Sequence, residues 1–267
     1  MKQIIAISIT ISFLFINCNN RDTTTTASSS KNKNLQLVKP ILQTIAKYPD
    51  SIGLRLQLIN VLDSLQLYPE AIKQIDSLTK KDSTNYGLWY RKGKLMENAK
   101  DTFEAINSYT KALKIYPAPD GMLSLANLLA EKRNIQALSI CNAVLNLRMG
   151  REYDAHSYFI SGVYFARTGN TKKAQQLFDE CISNNYSYLE AYLEKGFIFF
   201  DAKNYDAALK IFKLAASINN TYPDAYYWMA KCFEAENNKQ EALKNYQIAF
   251  QLDNTLQEAG DAIKRLQ

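Results

Sequence analysis

A single histidine, His156, stands among 267 residues, so any mechanism that needs an imidazole has to run through that position. A multi-histidine metal site is therefore excluded, and so is a His–His relay. A Ser–His–Asp or Cys–His mechanism would need a nucleophile and an orienting acid gathered around His156. It falls at the start of an amphipathic stretch with no such acid, base or nucleophile positioned beside it. It reads as a solvated or groove-lining residue. The four cysteines, Cys18, Cys141, Cys181 and Cys232, lack the close spacing of a metal site. No glycine-rich phosphate loop is visible. An enzyme is not expected, and neither a cofactor nor a metal is implied. The charge balance, 32 Lys and Arg against 26 Asp and Glu, leaves +6 spread along the chain. A cationic stripe is missing, so no nucleic-acid partner is expected.

Such a chain must act through its surface, and its composition says what carries that surface. At 47% hydrophobic and 22% charged, it can bury a core. Nine Gly and six Pro are too few for a sandwich or barrel of many tight turns. Cys141, Cys181 and Cys232 each occupy an apolar position of a predicted helix and read as small buried hydrophobes.

The N-terminal segment is built for targeting. Met1-Lys2-Gln3 is a short cationic start, and Ile4 to Ile16 is an apolar run. At 1.5 Å per residue that run spans only about 20 Å, too short for a hydrocarbon core of about 30 Å. It reads as a secretory signal over residues 1–17, ending at Phe15-Ile16-Asn17-Cys18. This end resembles the lipobox of bacterial lipoproteins, with Phe15 and Asn17 where that family favours Leu and a small residue. The resemblance implies that Cys18 is acylated and becomes the new N-terminus. Asn19 rather than Asp follows it, which within that family implies the outer membrane. The stretch after it, NNRDTTTTASSSKNKN, has no apolar residue larger than Ala. Residues 18–34 therefore read as a lipidated Cys on a flexible tether, with a reach of about 20–25 Å.

The remainder repeats. Gly162, Gly196 and Ala230 are spaced by 34, as are Ala174, Ala208 and Ala242 twelve residues after each. Tyr158, Tyr192 and Tyr226 keep the same period, as do Phe165, Phe199 and Phe233, and Phe178, Phe212 and Tyr246. The frame extends backward through Trp89, Gly93, Ala105 and Tyr109, and then through Leu58, Leu62, Ala71 and Ile75. Units run 52–85, 86–119, 120–154, 155–188, 189–222 and 223–256. The third is irregular: Ala126 and Leu129 fit, but Ala137 follows Ala126 by eleven residues instead of twelve, one residue early, and the exit is longer. Within each unit, apolar residues at i, i+3, i+4 and i+7 predict two amphipathic helices. Residues 35–51 supply a partial unit in front, and 257–267 a polar closing helix.

This pattern resembles the tetratricopeptide repeat (TPR) family, over residues 52–256. The resemblance implies an all-α fold, a right-handed α-solenoid of helix-turn-helix repeats. It also implies an inner surface lined by the first helix of each unit, with Asn60, Tyr90, Lys94, Asn127, Phe159, Val163, Phe197, Phe200, Tyr227 and Lys231 among the inward positions. His156, Glu97 and Glu234 fall there too. These residues would form a groove for a protein or peptide partner, with a polar end at Lys94 and Asn127 and an apolar pocket around Phe159 and Phe197. TPR domains that capture C-terminal carboxylates use a Lys, Asn and Arg clamp. Here only Asn60 has an equivalent, with Leu56 and Asp120 at lysine positions, so that activity is not expected. The expected function is a lipid-anchored adaptor in the bacterial envelope, attached to the membrane through Cys18. The alternative is a solute- or glycan-binding lipoprotein using the aromatic end of the groove.

Overall fold

The computed structural model describes residues 36–267. The signal segment, Cys18 and the tether lie outside the described residues. Fourteen helices and no strand are present among those described. They are α1 (36–47), α2 (Ile52–Ser64), α3 (Tyr68–Lys81), α4 (Tyr86–Asn98), α5 (Thr102–Ile115), α6 (Pro119–Glu131) and α7 (Gln136–Asn146). Then come α8 (Arg151–Arg167), α9 (Thr171–Asn184), α10 (Leu189–Asp201), α11 (Tyr205–Ile218), α12 (Pro223–Ala235), α13 (Lys239–Leu252) and α14 (Gln257–Leu266). None of them is long and apolar enough to cross a membrane.

Two compact units divide inside α3, between Ala71 and Ile72. In the first, Val38 and Ile45 of α1 and Leu58, Ile59 and Leu62 of α2 are buried. The Arg55 guanidinium donates to the Pro49 carbonyl and fixes the turn before α2. In the second unit, α4 to α13 form helical hairpins, and each second helix packs on the first helix of the next hairpin. The first helix α8 also touches the first helices α6 and α10 on either side of it. This is the all-α solenoid that the 34-residue spacing predicts.

The hairpins close where the small residues fall. A Cβ added at Gly93, Gly162 or Gly196 would overlap the ring of Tyr109, Phe178 or Phe212 respectively. Each ring belongs to the second helix of the same hairpin and is fully buried. The missing side chain on one helix is the seat for the aromatic on the other.

The turn inside each hairpin is equally regular. Gln66, Lys100, Arg133, Gly169, Lys203 and Asn237 all have positive φ, between 57° and 87°. At Lys100 the N–H donates to the Glu97 carbonyl (3.0 Å), and the Asp101 N–H reaches back to Met96 (2.9 Å). The same two bonds recur at Gln66, Arg133, Gly169, Lys203 and Asn237. This paired closure is the Schellman motif, which satisfies the last carbonyls of the first helix. The next residue then caps the second helix: Asp101, Asn170, Asn204 and Asn238 each accept from a backbone N–H three residues on.

The third hairpin departs from the frame as its sequence does. Arg133 reaches the left-handed position one residue early, and α8 starts at Arg151, four residues ahead of the 34-residue frame. A link with positive φ at Arg148 and Gly150 joins α7 to α8.

Two joints between hairpins carry the same ion pair. Lys92 Nζ lies 2.7 Å from Asp76, and Lys195 Nζ lies 2.6 Å from Asp179. In both cases a lysine of a first helix meets an aspartate sixteen residues earlier, on the preceding second helix.

The buried thiols behave as hydrophobes. Cys141, Cys181 and Cys232 are free and buried. Burial pushes Cys141 up to about 11 and the other two up to about 12, so all three stay protonated and inert.

Candidate functional site

Neighbouring first helices of the second unit line two clefts. The smaller, about 210 Å³, has α4, α6 and α8 as walls. Lys94 and Glu97 come from α4, Ser124 and Asn127 from α6, and His156 and Phe159 from α8. Tyr188, just before α10, closes it. Helical spacing explains the grouping. Residues three apart on one helix share a face, so Lys94 with Glu97, Ser124 with Asn127, and His156 with Phe159 point the same way.

The polar groups of this cleft are held in place. Tyr109 donates its hydroxyl to Glu97 Oε2 at 2.6 Å, and Lys94 Nζ stands 4.0 Å from the same oxygen. Burial, and then the bond to Glu97, push the Tyr109 hydroxyl well above its ordinary range. It remains a donor at any accessible pH. Tyr188 and His156 Nδ1 are 2.9 Å apart. The Tyr188 ring lies 4.9 Å from Phe159, tilted by 33°, and Phe159 rests in turn on Phe178 at 6.0 Å. The cleft therefore offers an ammonium, a carboxylate, an amide and an imidazole around an aromatic plate. Such a set can hydrogen-bond an extended backbone and pack one apolar side chain.

The larger cleft, about 540 Å³, opens between the ends of α8 and α10. Arg167 spans it. Its guanidinium binds Glu194 of α10 through two bonds of 2.8 Å and Glu131 of α6 through bonds of 2.9 and 3.0 Å. The bonds to Glu194, and secondarily those to Glu131, hold this guanidinium above its ordinary pKa. Phe197 and Ile198 give the cleft an apolar wall, and Asp201 stands at its edge.

The expected groove residues separate into groups. Lys94, Asn127 and Phe159 meet in the smaller cleft, and Phe197 lines the larger. The expectation of one apolar pocket around Phe159 and Phe197 is corrected: the two rings belong to different clefts. Val163 is also corrected. It is 1% exposed and belongs to the core between hairpins, because α8 turns that position toward its neighbours. Phe197 and Phe200 pack on Trp228, at 4.5 and 5.4 Å, and Tyr227 packs on Tyr246 and Trp228. Tyr90 is stacked on Tyr86 at 5.7 Å, and Lys231 is half-buried. Asn60 is exposed on α2, in the first unit.

Sequence reasoning missed Tyr188, Trp228 and the role of Glu194. Tyr188 and Tyr222 are separated by the repeat length and could have been found as a further periodic aromatic. Among the described residues, no group of three His, Cys, Asp or Glu is placed to hold a metal ion.

Comparison with known proteins follows the same geometry. Tetratricopeptide repeat family models match residues 88–118 and 199–247. A tetratricopeptide repeat protein from Parabacteroides merdae ATCC 43184 is similar in structure, with TM-score 0.73 and 14% identity, over 91% of this chain and 96% of that one. PilW, a type IV pilus biogenesis factor, gives TM-score 0.63 and 18% identity, over 79% of this chain and 97% of that one. A thermophilic TPR protein of Thermus thermophilus gives 0.57 and 17%, over 68% of this chain and 98% of that one. At these identities the likeness is one of fold. No curated protein matches the chain by sequence.

Proposed function

The chain is a tetratricopeptide-repeat protein, and from that premise we propose that it is an envelope adaptor, tethered through acylated Cys18, that grips a partner segment along its first helices. The repeat fold is a scaffold for protein–protein interaction. The finer reading rests on one observation: three successive first helices bring Lys94, Glu97, Asn127, His156 and Phe159 into one cleft, and Tyr188, at the start of α10, completes the aromatic plate with Phe159. That combination suits an extended peptide, whose backbone needs donors and acceptors and whose side chains need an apolar seat.

The aromatic cluster favours a protein partner over a glycan. Phe200 and Tyr227 spend ring surface on Trp228 and Tyr246, and Phe197 packs its ring on Trp228 and Phe212 while leaving apolar surface at the cleft wall. A sugar would need such a face free for stacking.

Affinity capture from native envelopes tests the adaptor. The wild-type chain should retain a defined protein that an Asn127→Ala/Phe159→Ala double variant loses while keeping its helical circular dichroism. Equal capture by both forms would overturn the groove. Labelling cells with radioactive palmitate tests the anchor. The label should appear on the wild-type chain and vanish with Cys18→Ala; label persisting in that variant would remove the lipid claim.

A further inference from the structure

The larger cleft has a chemistry of its own. Its charged lining groups are Arg167, Glu194 and Asp201, and Glu131 reaches Arg167 from α6. Two carboxylates and one guanidinium therefore line the cleft, and that guanidinium is also paired with Glu131 outside the lining, so the group carries two negative charges in surplus. Glu194 gives one oxygen to each of its two bonds with Arg167, so each oxygen keeps acceptor capacity. Asp201 is exposed and has no partner among the described residues. Beside these acids lies the apolar wall of Phe197 and Ile198. The volume, about 540 Å³, falls within the range of pockets that enclose a ligand group.

An acidic rim alone would take any cation, but acid beside an apolar wall selects a particular shape. Lysine and arginine bury a methylene stem along apolar surface and keep the charged head among polar groups. We propose that this cleft is a subsite for a lysine or arginine side chain of the partner segment, its stem along Phe197 and Ile198 and its head between Glu194 and Asp201. The assignment rests on the groove reading above and names the charge that the partner presents beyond the Phe159 plate. Arg167 takes no part in recognition; held by four bonds to Glu131 and Glu194, it keeps Glu194 at the cleft wall.

Calorimetric titration of the purified full-length chain tests it. The probes are capped nine-residue Gly/Ser peptides with one central variable residue. Peptides with central arginine or lysine should bind, while those with glutamate or norleucine should bind at least about tenfold more weakly. A diaminopropionate peptide has the charge without the stem, and should bind at least about fourfold more weakly than the lysine peptide. Asp201→Asn should lower affinity for the arginine peptide about threefold without moving the melting temperature.

Equal binding of the glutamate peptide would overturn the assignment. So would indifference to Asp201→Asn, or no binding by any peptide up to about 5 mM. If the cationic peptides fail while capture through Asn127 and Phe159 persists, the subsite alone falls. If capture fails as well, the groove reading falls with it.

Discussion

Two tyrosines anchor the polar surface of the first helices. Tyr109 donates to Glu97 at 2.6 Å and Tyr246 to Glu234 at 2.7 Å, each across twelve residues of its own hairpin. Both rings are buried, so each hydroxyl must find its partner at the hairpin surface. Tyr246→Phe should cost about 1 kcal/mol in chemical denaturation. Glu234 also holds Arg265 of α14. That bond, and secondarily the one from Tyr246, hold the Glu234 carboxyl below the ordinary glutamate pKa. A carboxylate with a depressed folded pKa stabilises above its unfolded value, about 4.3, and loses that contribution as pH falls through the folded one. The melting-temperature gap between wild type and Glu234→Gln should therefore be widest near neutrality and close on acidification. A gap independent of pH would refute this. The periodic aromatics were legible in the sequence, and so were the inward positions of Glu97 and Glu234; the pairing of each acid with a buried tyrosine was not. Glu97 and Glu234 differ from solvated glutamates only in having a buried tyrosine opposite, and that needs the fold.

Each hairpin turn places one residue in the left-handed region, and in all but the first, where Leu67 follows Gln66, the next residue is an Asp or Asn that accepts from a backbone N–H two or three residues on. Only Gly169 among those six positions is a glycine; the others are Gln66, Lys100, Arg133, Lys203 and Asn237. A residue with a Cβ pays strain there that glycine avoids. Lys203→Gly should raise stability by about 0.5–1 kcal/mol, offset in part by the freer unfolded chain. Asn204→Ala should lower it by about 1 kcal/mol, through loss of the cap on α11. Opposite signs at adjacent positions make a sharp test by urea denaturation. The glycine seats for Tyr109, Phe178 and Phe212 follow from composition and spacing. The recurring left-handed turn does not, because Lys, Arg and Gln carry no signal for positive φ. The early shift of Ala137 did foretell the early turn at Arg133. The separation of Phe159 from Phe197 was hidden, because period alone does not say which inward residues share a cleft.

Across the second unit, Arg167 ties three hairpins by binding Glu131 on α6 and Glu194 on α10. Its side chain is about one-third exposed, while that of Glu194 is 14% exposed. Arg167→Gln should cost about 1–2 kcal/mol, less than breaking a fully buried pair, because water reaches the guanidinium. Hydrogen exchange should quicken in α6 and α10 as well as α8, since stability in such arrays passes between neighbouring repeats.

The link between α7 and α8 breaks this regularity. Leu147 and Met149 are 49% and 51% exposed, and exposed Arg148 sits between them. Backbone bonds from Leu147 to Val144 and from Arg148 to Leu145 hold it, in place of the interlocked closure of the hairpin turns. Within residues 36–267, brief digestion with trypsin should cut after Arg148 ahead of Lys100 and Lys203. The C-terminal fragment would carry the Phe178 and Phe212 hairpins, the Tyr246 hairpin and α14, and should resist further cutting. One nick would thus open the chain between its third and fourth hairpins, leaving the lining residues of the acid-rimmed cleft together on one fragment, still packed on the other through the shared core of Val144, Ala155 and Val163.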